Sequence, residues 1–215
     1  MRSPLLPLRH PSARRGCHHL SSRVRDNRDL IIQLQPNKAL PGMEFSDVVK
    51  KRWMCRQYLD KDVPEETIEK ILDVASHFPS AGHTQPQELI VIRGQEVKEA
   101  LGEAALGQMF IAEAPLVIVV VSDTRRSAAQ YGSRGVHFYA IIDGAFAAML
   151  LLLAAVNEGL GTVFVAAFDD QRVQKVLGLP KEVRPIGILP IGYCAERAQK
   201  LSRRSRQAII HYEKR

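Results

Sequence analysis

The run Pro79-Ser80-Ala81-Gly82-His83-Thr84-Gln85-Pro86 lies between a helical pattern ending near Phe78 and an extended apolar segment from Leu89 to Ile92. It is small and polar, with a proline at each end, so it reads as a loop. Small side chains let backbone amides come close to a flat ring. Upstream, Arg52-Trp53-Met54-Cys55-Arg56-Gln57-Tyr58 holds two arginines four apart, which would share one helix face. Two guanidinium groups so placed can clamp a phosphate bidentately.

Outward from these two segments the pattern mixes helices and strands. Phe45 to Cys55 reads as a first helix, and Pro64-Glu65-Glu66 opens a second, with proline in its first turn and acids complementing the helix dipole. Ile68, Ile71, Leu72, Ala75 and Phe78 fall at helical spacing and belong to the core. The β-branched runs Leu89 to Ile92 and Leu116 to Val121 read as buried strands, joined by a helix from about Glu96 to Phe110. Residues 123–138 are polar. Ala140 to Glu158 is apolar almost throughout, apart from Asp143 and Asn157. Its unbroken part, Ala145 to Val156, is well short of the roughly 20 residues that span a bilayer, so it reads as a buried helix and not a membrane segment. A short strand to Ala167, a helix from Asp169 to Leu177 and a strand from Arg184 to Gly192 follow. Ala208 to His211 is expected to extend a sheet.

Taken in order, Arg-x-x-x-Arg, Pro-Ser-Ala-Gly-x-Thr-Gln-Pro, Asp143-Gly144-Ala145 opening the apolar helix, Gly159-Leu160-Gly161-Thr162, Leu177-Gly178-Leu179-Pro180, Ile188-Leu189-Pro190-Ile191-Gly192-Tyr193 and the basic Arg203-Arg204 resemble the FMN-dependent nitroreductase family. The resemblance runs from about Met43 to the end. It implies an α+β fold, a central mostly antiparallel sheet flanked by helices, in an intertwined homodimer. It also implies an FMN-dependent oxidoreductase that takes a hydride from NADH or NADPH and passes electrons, by a ping-pong route, to a small-molecule acceptor such as a nitroaromatic or a quinone. Flavin N5 then carries the chemistry, and no catalytic side chain is required. The chain contains no Gly-x-Ser-x-Gly, His-Glu-x-x-His, P-loop or Rossmann fingerprint to support a hydrolase, zinc or dinucleotide-fold reading.

By motif position the resemblance makes Arg52 the FMN phosphate ligand, with Arg203 and Arg204 its C-terminal partners and Trp53 beside it. Arg56 falls near the ribityl chain or the N1 and O2 edge of the ring. Met54 stands where the family usually has Ser, and His83 where it usually has Asn. Ser80, Ala81 and Gln85 match the loop that lines the ring and ribityl system. Ala166 and Ala167 fall where a backbone amide meets N5. Two specialised members of the fold, a flavin-fragmenting enzyme and a reductive dehalogenase, are alternatives, as is a flavin-binding protein without turnover. Residues 123–138 contain neither the Glu nor the Lys that the resemblance attaches to deiodination.

The chain has 215 residues, room for one sizeable domain. Of its net charge of +7, residues 1–42 carry +6, from seven Arg and Lys38 against Asp26 and Asp29. The remaining sequence is nearly neutral and lacks a basic stripe for nucleic acid. Residues 1–42 are Arg-rich, and their first 25 carry no acid, as in a transit peptide, but prolines break any amphipathic helix there, so they read as a disordered extension or an upstream start rather than a targeting signal. Cys17, Cys55 and Cys194 are odd in number and widely spaced, which suggests no disulfide framework and a reducing, cytoplasmic setting. Nothing in the sequence suggests a metal site. Deleting residues 1–42 is expected to leave melting temperature and flavin content nearly unchanged; a large fall in melting temperature would make the extension structural.

Overall fold

β-branched runs pair as neighbouring strands of one antiparallel sheet, one at its edge and one in its centre. The computed structural model describes residues 43–196, 198 and 201–215; the basic extension expected at 1–42 lies outside the described residues. The strands are β1 (Gln87–Ile92), β2 (Leu116–Asp123), β3 (Gly161–Thr162) and β4 (Val183–Gly192), in the order β1-β2-β4-β3. Leu89 pairs with Val120 and Val119 with Ile188. β2 is buried at every residue because helices cover both sheet faces, and this is why it reads as a continuous apolar run.

On one face α2 (Glu65–Ser76) and α6 (Ala140–Asn157) pack Ile68, Ile71, Ala147, Leu151 and Ala155 against Ile118, Val120 and Leu189. On the other, α3 (Gln95–Ala104), α4 (Phe110–Glu113) and α7 (Asp170–Leu177) pack Leu101, Ile111 and Val173 against Val117, Val119 and Ile188. By length and composition the helical stretch containing α6 could cross a membrane. Ten of the α6 residues are buried within this fold, including Leu151 and Leu152, so it is a core helix here. It lies very close to the sheet: a Cβ on Gly144 would stand 2.6 Å from Ile186.

Several boundaries differ from expectation. The first helix, α1 (Phe45–Lys51), stops before Arg52, whose backbone is extended. Beyond it the chain joins the sheet margin: Met54 bridges Thr162, the Cys55 amide donates to the Thr162 carbonyl at 3.1 Å, and Tyr58 bridges Cys194. The helix expected to reach Phe110 breaks at Leu106 and Gly107, both left-handed. Residues 124–134 form helix α5, capped by Asp123, and pass through a π-helical turn at Gly135–Tyr139 into α6. β3 ends at Thr162, leaving only a Val165–Ile188 bridge. Ala208 to His211 forms no strand; Arg206–Ala208 is a 3-10 turn.

The cysteine reading is also corrected. Cys55 and Cys194 form a disulfide, their Cα atoms 6.2 Å apart although 139 residues separate them in sequence. Sheet-margin pairing of residues 54–59 with Thr162, Tyr193 and Cys194 brings the two together. With Cys55 and Cys194 paired, cysteine usage no longer points to a reducing compartment. Unfolded, unreduced protein should therefore alkylate only at Cys17, and at all three cysteines after a dithiol reductant. Reduction should lower stability by about 2–4 kcal/mol, the usual scale for opening a long loop. Three reactive thiols before reduction would contradict the pairing.

Candidate functional site

The extended segment after α1 lines a groove of about 850 Å³ with Lys50, Lys51, Arg52, Trp53, Met54, Arg56, Gln57, Glu196, Ala198, Leu201 and Arg203. Arg52 and Arg56 both line it from the extended segment that follows α1, and not from the helix face that their spacing suggested. Among the described residues five cations line the groove with one acid, Glu196, whose carboxylate accepts from the Arg56 amide at 2.7 Å. Arg52 Nη1 is buried and has no hydrogen-bond partner among the described residues. An unpaired buried guanidinium nitrogen is costly, so this donor is poised for an anion. Arg203 lines the groove; Arg204 does not, and its guanidinium donates to the Ala208 carbonyl at 2.6 Å.

The Pro79–Pro86 loop is organised separately. The Ala81 amide donates to Asp143 Oδ1 at 3.0 Å, and the Gln85 amide to Ser80 Oγ at 2.9 Å. Arg126 Nε donates to the Thr84 carbonyl at 2.9 Å. His83 and Gln85 are exposed with positive φ, 56° and 46°, a conformation that non-glycine residues hold only under surrounding constraint. Gly82 also has positive φ, and a Cβ there would lie 2.3 Å from Tyr131 Oη. Ala166 and Ala167 are exposed after the Val165 bridge, and the Ala167 carbonyl accepts from Gln108 Nε2 at 3.1 Å.

The two halves sit at opposite ends of α6. Met43, just before α1, donates to Asn157 at the C-terminal end, whereas Ala81 is bound to Asp143 near the N-terminal end. Fourteen helical residues separate those anchors, about 21 Å at 1.5 Å per residue. No loop residue lines the groove. Sequence reasoning named the members of each half but not their separation, and it missed Asp143 as the loop's anchor. A lone acid in an apolar helix was the available signal.

The nitroreductase family profile matches residues 49–193, which include the extended arginine segment, the loop and all four strands. The chain belongs to the nitroreductase family. Among its relatives is a Thermus thermophilus protein named NADH dehydrogenase, 33% identical over 184 residues, covering 73% of this chain and 90% of that one. A Bacillus subtilis FMN reductase (NAD(P)H) is 29% identical, covering 74% and 69%. Mouse iodotyrosine deiodinase 1 is 27% identical, covering 71% and 62%. A solved nitroreductase family protein from Clostridium difficile superposes with TM-score 0.70 at 33% identity, covering 80% of this chain and 99% of that one.

Within this nitroreductase, Asp143 is the polar pin of the loop. It is 1% exposed, its Oδ2 has no partner, and burial pushes its carboxyl pKa above the ordinary value. A raised folded pKa means that the native state holds the proton more tightly. This contribution therefore favours folding at low pH and fades as pH rises through the unfolded and then the folded pKa. Asp143→Asn keeps an acceptor for Ala81 and removes the buried charge. It should flatten stability against pH between acid and neutral conditions, whereas Asp143→Ala should cost about 1–3 kcal/mol by orphaning the amide. Urea unfolding at several pH values distinguishes them; equal losses in both variants would contradict this role.

Proposed function

We propose that this nitroreductase is an FMN-dependent NAD(P)H oxidoreductase. In this reading each flavin is held by the arginine groove of one copy and the Pro79–Pro86 loop of a second, in a homodimer. The observation that carries it is the buried, unpartnered Arg52 Nη1 in a groove of five cations. That donor set fits a terminal phosphate dianion. FMN, when bound, supplies reversible hydride acceptance. Arg52 and Arg203 bind the phosphate, with Lys50 and Lys51 adding to the attraction. Arg56 supplies positive charge toward the ring edge, where reduction increases electron density. Ser80, His83 and Gln85 offer hydrogen bonds to the ring and ribityl groups, and Asp143 keeps the loop in place. Donor and acceptor use one pocket in turn, which makes the kinetics ping-pong. Acceptors are small nitroaromatics or quinones.

No loop residue lines the groove, and the contacts that anchor the loop and the start of the groove's segment lie about 21 Å apart along α6, which offers the means of joining two copies. Phe146 and Met149 on α6 are 46% and 49% exposed, and Phe45 in α1 is 72% exposed. Met43, Phe45, Val48, Val74, Leu150 and Leu153 line a 230 Å³ cleft along α1 and α6, with Lys70, Asn157 and Glu158 also lining it. Exposed apolar surface of this kind marks an interface. The names of the Thermus and Bacillus relatives support a nicotinamide donor and FMN.

Purified protein should show a flavin spectrum, release FMN and not FAD, and bleach anaerobically with NADH or NADPH. Arg52→Ala should weaken FMN binding by about 2–3 kcal/mol, the scale of a lost charge-assisted contact. Released FAD, or unchanged FMN affinity in the variant, would defeat the phosphate assignment.

A further inference from the structure

The last turn of α5 and the π turn after it build a cationic aromatic cluster that the flavin site leaves unused. Arg134 Cζ lies 4.4 Å from the Phe138 ring centroid and 5.3 Å from that of Tyr139, and its Nε donates to Tyr139 Oη at 3.2 Å. Tyr139 in turn packs on Tyr131 with centroids 4.7 Å apart. Tyr131 Oη and the Gln130 amide occupy the space where a Gly82 Cβ would lie, so the cluster is continuous with the Pro79–Pro86 loop. Arg134 is exposed and Phe138 is 43% exposed.

Three features set this guanidinium apart from an ordinary surface cation. Among the described residues it makes no ion pair, whereas Arg125 is paired with Asp123 at 2.7 Å and Arg126 bonds to the Thr84 carbonyl. Two rings and a phenol fix its orientation, so little rotamer freedom remains to be lost when a ligand binds. The backbone is deformed to hold it: Gly132 leaves helical geometry at φ 53° and ψ −137°, and a π turn follows, an arrangement found frequently at functional sites. A planar cation beside exposed rings matches a planar anion carried on an aromatic body.

We propose that Arg134 recognises the anionic group of an aromatic electron acceptor, a carboxylate above all, while Phe138 packs against the acceptor's ring. This rests on the reading that the Pro79–Pro86 loop lines the flavin ring. It narrows the substrate class from nitroaromatics and quinones in general to those bearing a negative charge. The same cation could meet a phosphate of the nicotinamide donor, and the test separates the two.

FMN-loaded full-length protein, Arg134→Gln and Arg134→Lys would be assayed with 4-nitrobenzoate and nitrobenzene. In wild type, kcat/KM should favour 4-nitrobenzoate. Arg134→Gln should lower the ratio of the two kcat/KM values by about tenfold, the scale of one charge-assisted pair. Arg134→Lys should fall between, because an ammonium lacks the planar fork. Without turnover, the Kd of 4-nitrobenzoate for the oxidised holoprotein, followed by flavin absorbance, should rise by a similar factor. An unchanged ratio would overturn the proposal. So would an effect confined to the KM for NADPH or NADH, which would assign Arg134 to the donor. Protein that carries no flavin and oxidises no nicotinamide would instead refute the flavin reading itself, and this proposal with it.

Discussion

Helix α6 is apolar around nearly its whole circumference, and a helix of that kind has to be covered on every side. The sheet and α2 cover one side, with Ala147, Leu151 and Ala155 in the core. Phe146 and Met149 remain about half exposed on the other. The same helix anchors the start of the chain's described part at Asn157 and the Pro79–Pro86 loop at Asp143. Burial of α6 therefore fixes the core, the proposed interface and the distance between the two halves of the site.

That distance gives the candidate site its logic. The arginine groove is rich in donors and poor in acceptors, as a phosphate site should be. The loop is small, backbone-rich and pinned by a buried carboxyl, as a site for a flat polar ring should be. In one copy α6 holds the contacts that anchor the two segments, at Asn157 and Asp143, about 21 Å apart. Two copies related by a twofold axis, packed through α6, would place each groove against the other's loop and complete two equivalent sites.

The fold was legible where burial dictated the pattern. The apolar run around Val119 became the central strand β2 and that around Val91 the edge strand β1 paired with it, and Ile68, Ile71 and Ala75 became the inner face of α2. Boundaries failed where tertiary pairing overrode local preference: α1 was expected to reach Cys55, but Met54 is drawn off to bridge Thr162. Two arginines four apart look alike on a helix and on a strand face, so their grouping was readable although its cause was not. The Cys55–Cys194 pairing was invisible, because nothing local to either cysteine announces a partner 139 residues away. Arg134's aromatic setting was hidden too, since it arises from a π turn that spacing does not reveal.

The most direct test of a site shared between copies is complementation between two defective chains. Arg52→Ala damages the groove, and Gly82→Val damages the loop by forcing a side chain toward Tyr131 and Gln130. Each variant alone should bind little FMN. Unfolded together and refolded as a mixture, they should form heterodimers in which one site carries both defects and the other carries none. Random pairing of equal amounts would then restore about a quarter of the wild-type FMN sites. A mixture that binds no more FMN than its separate components would contradict the shared site and place both halves within a single chain.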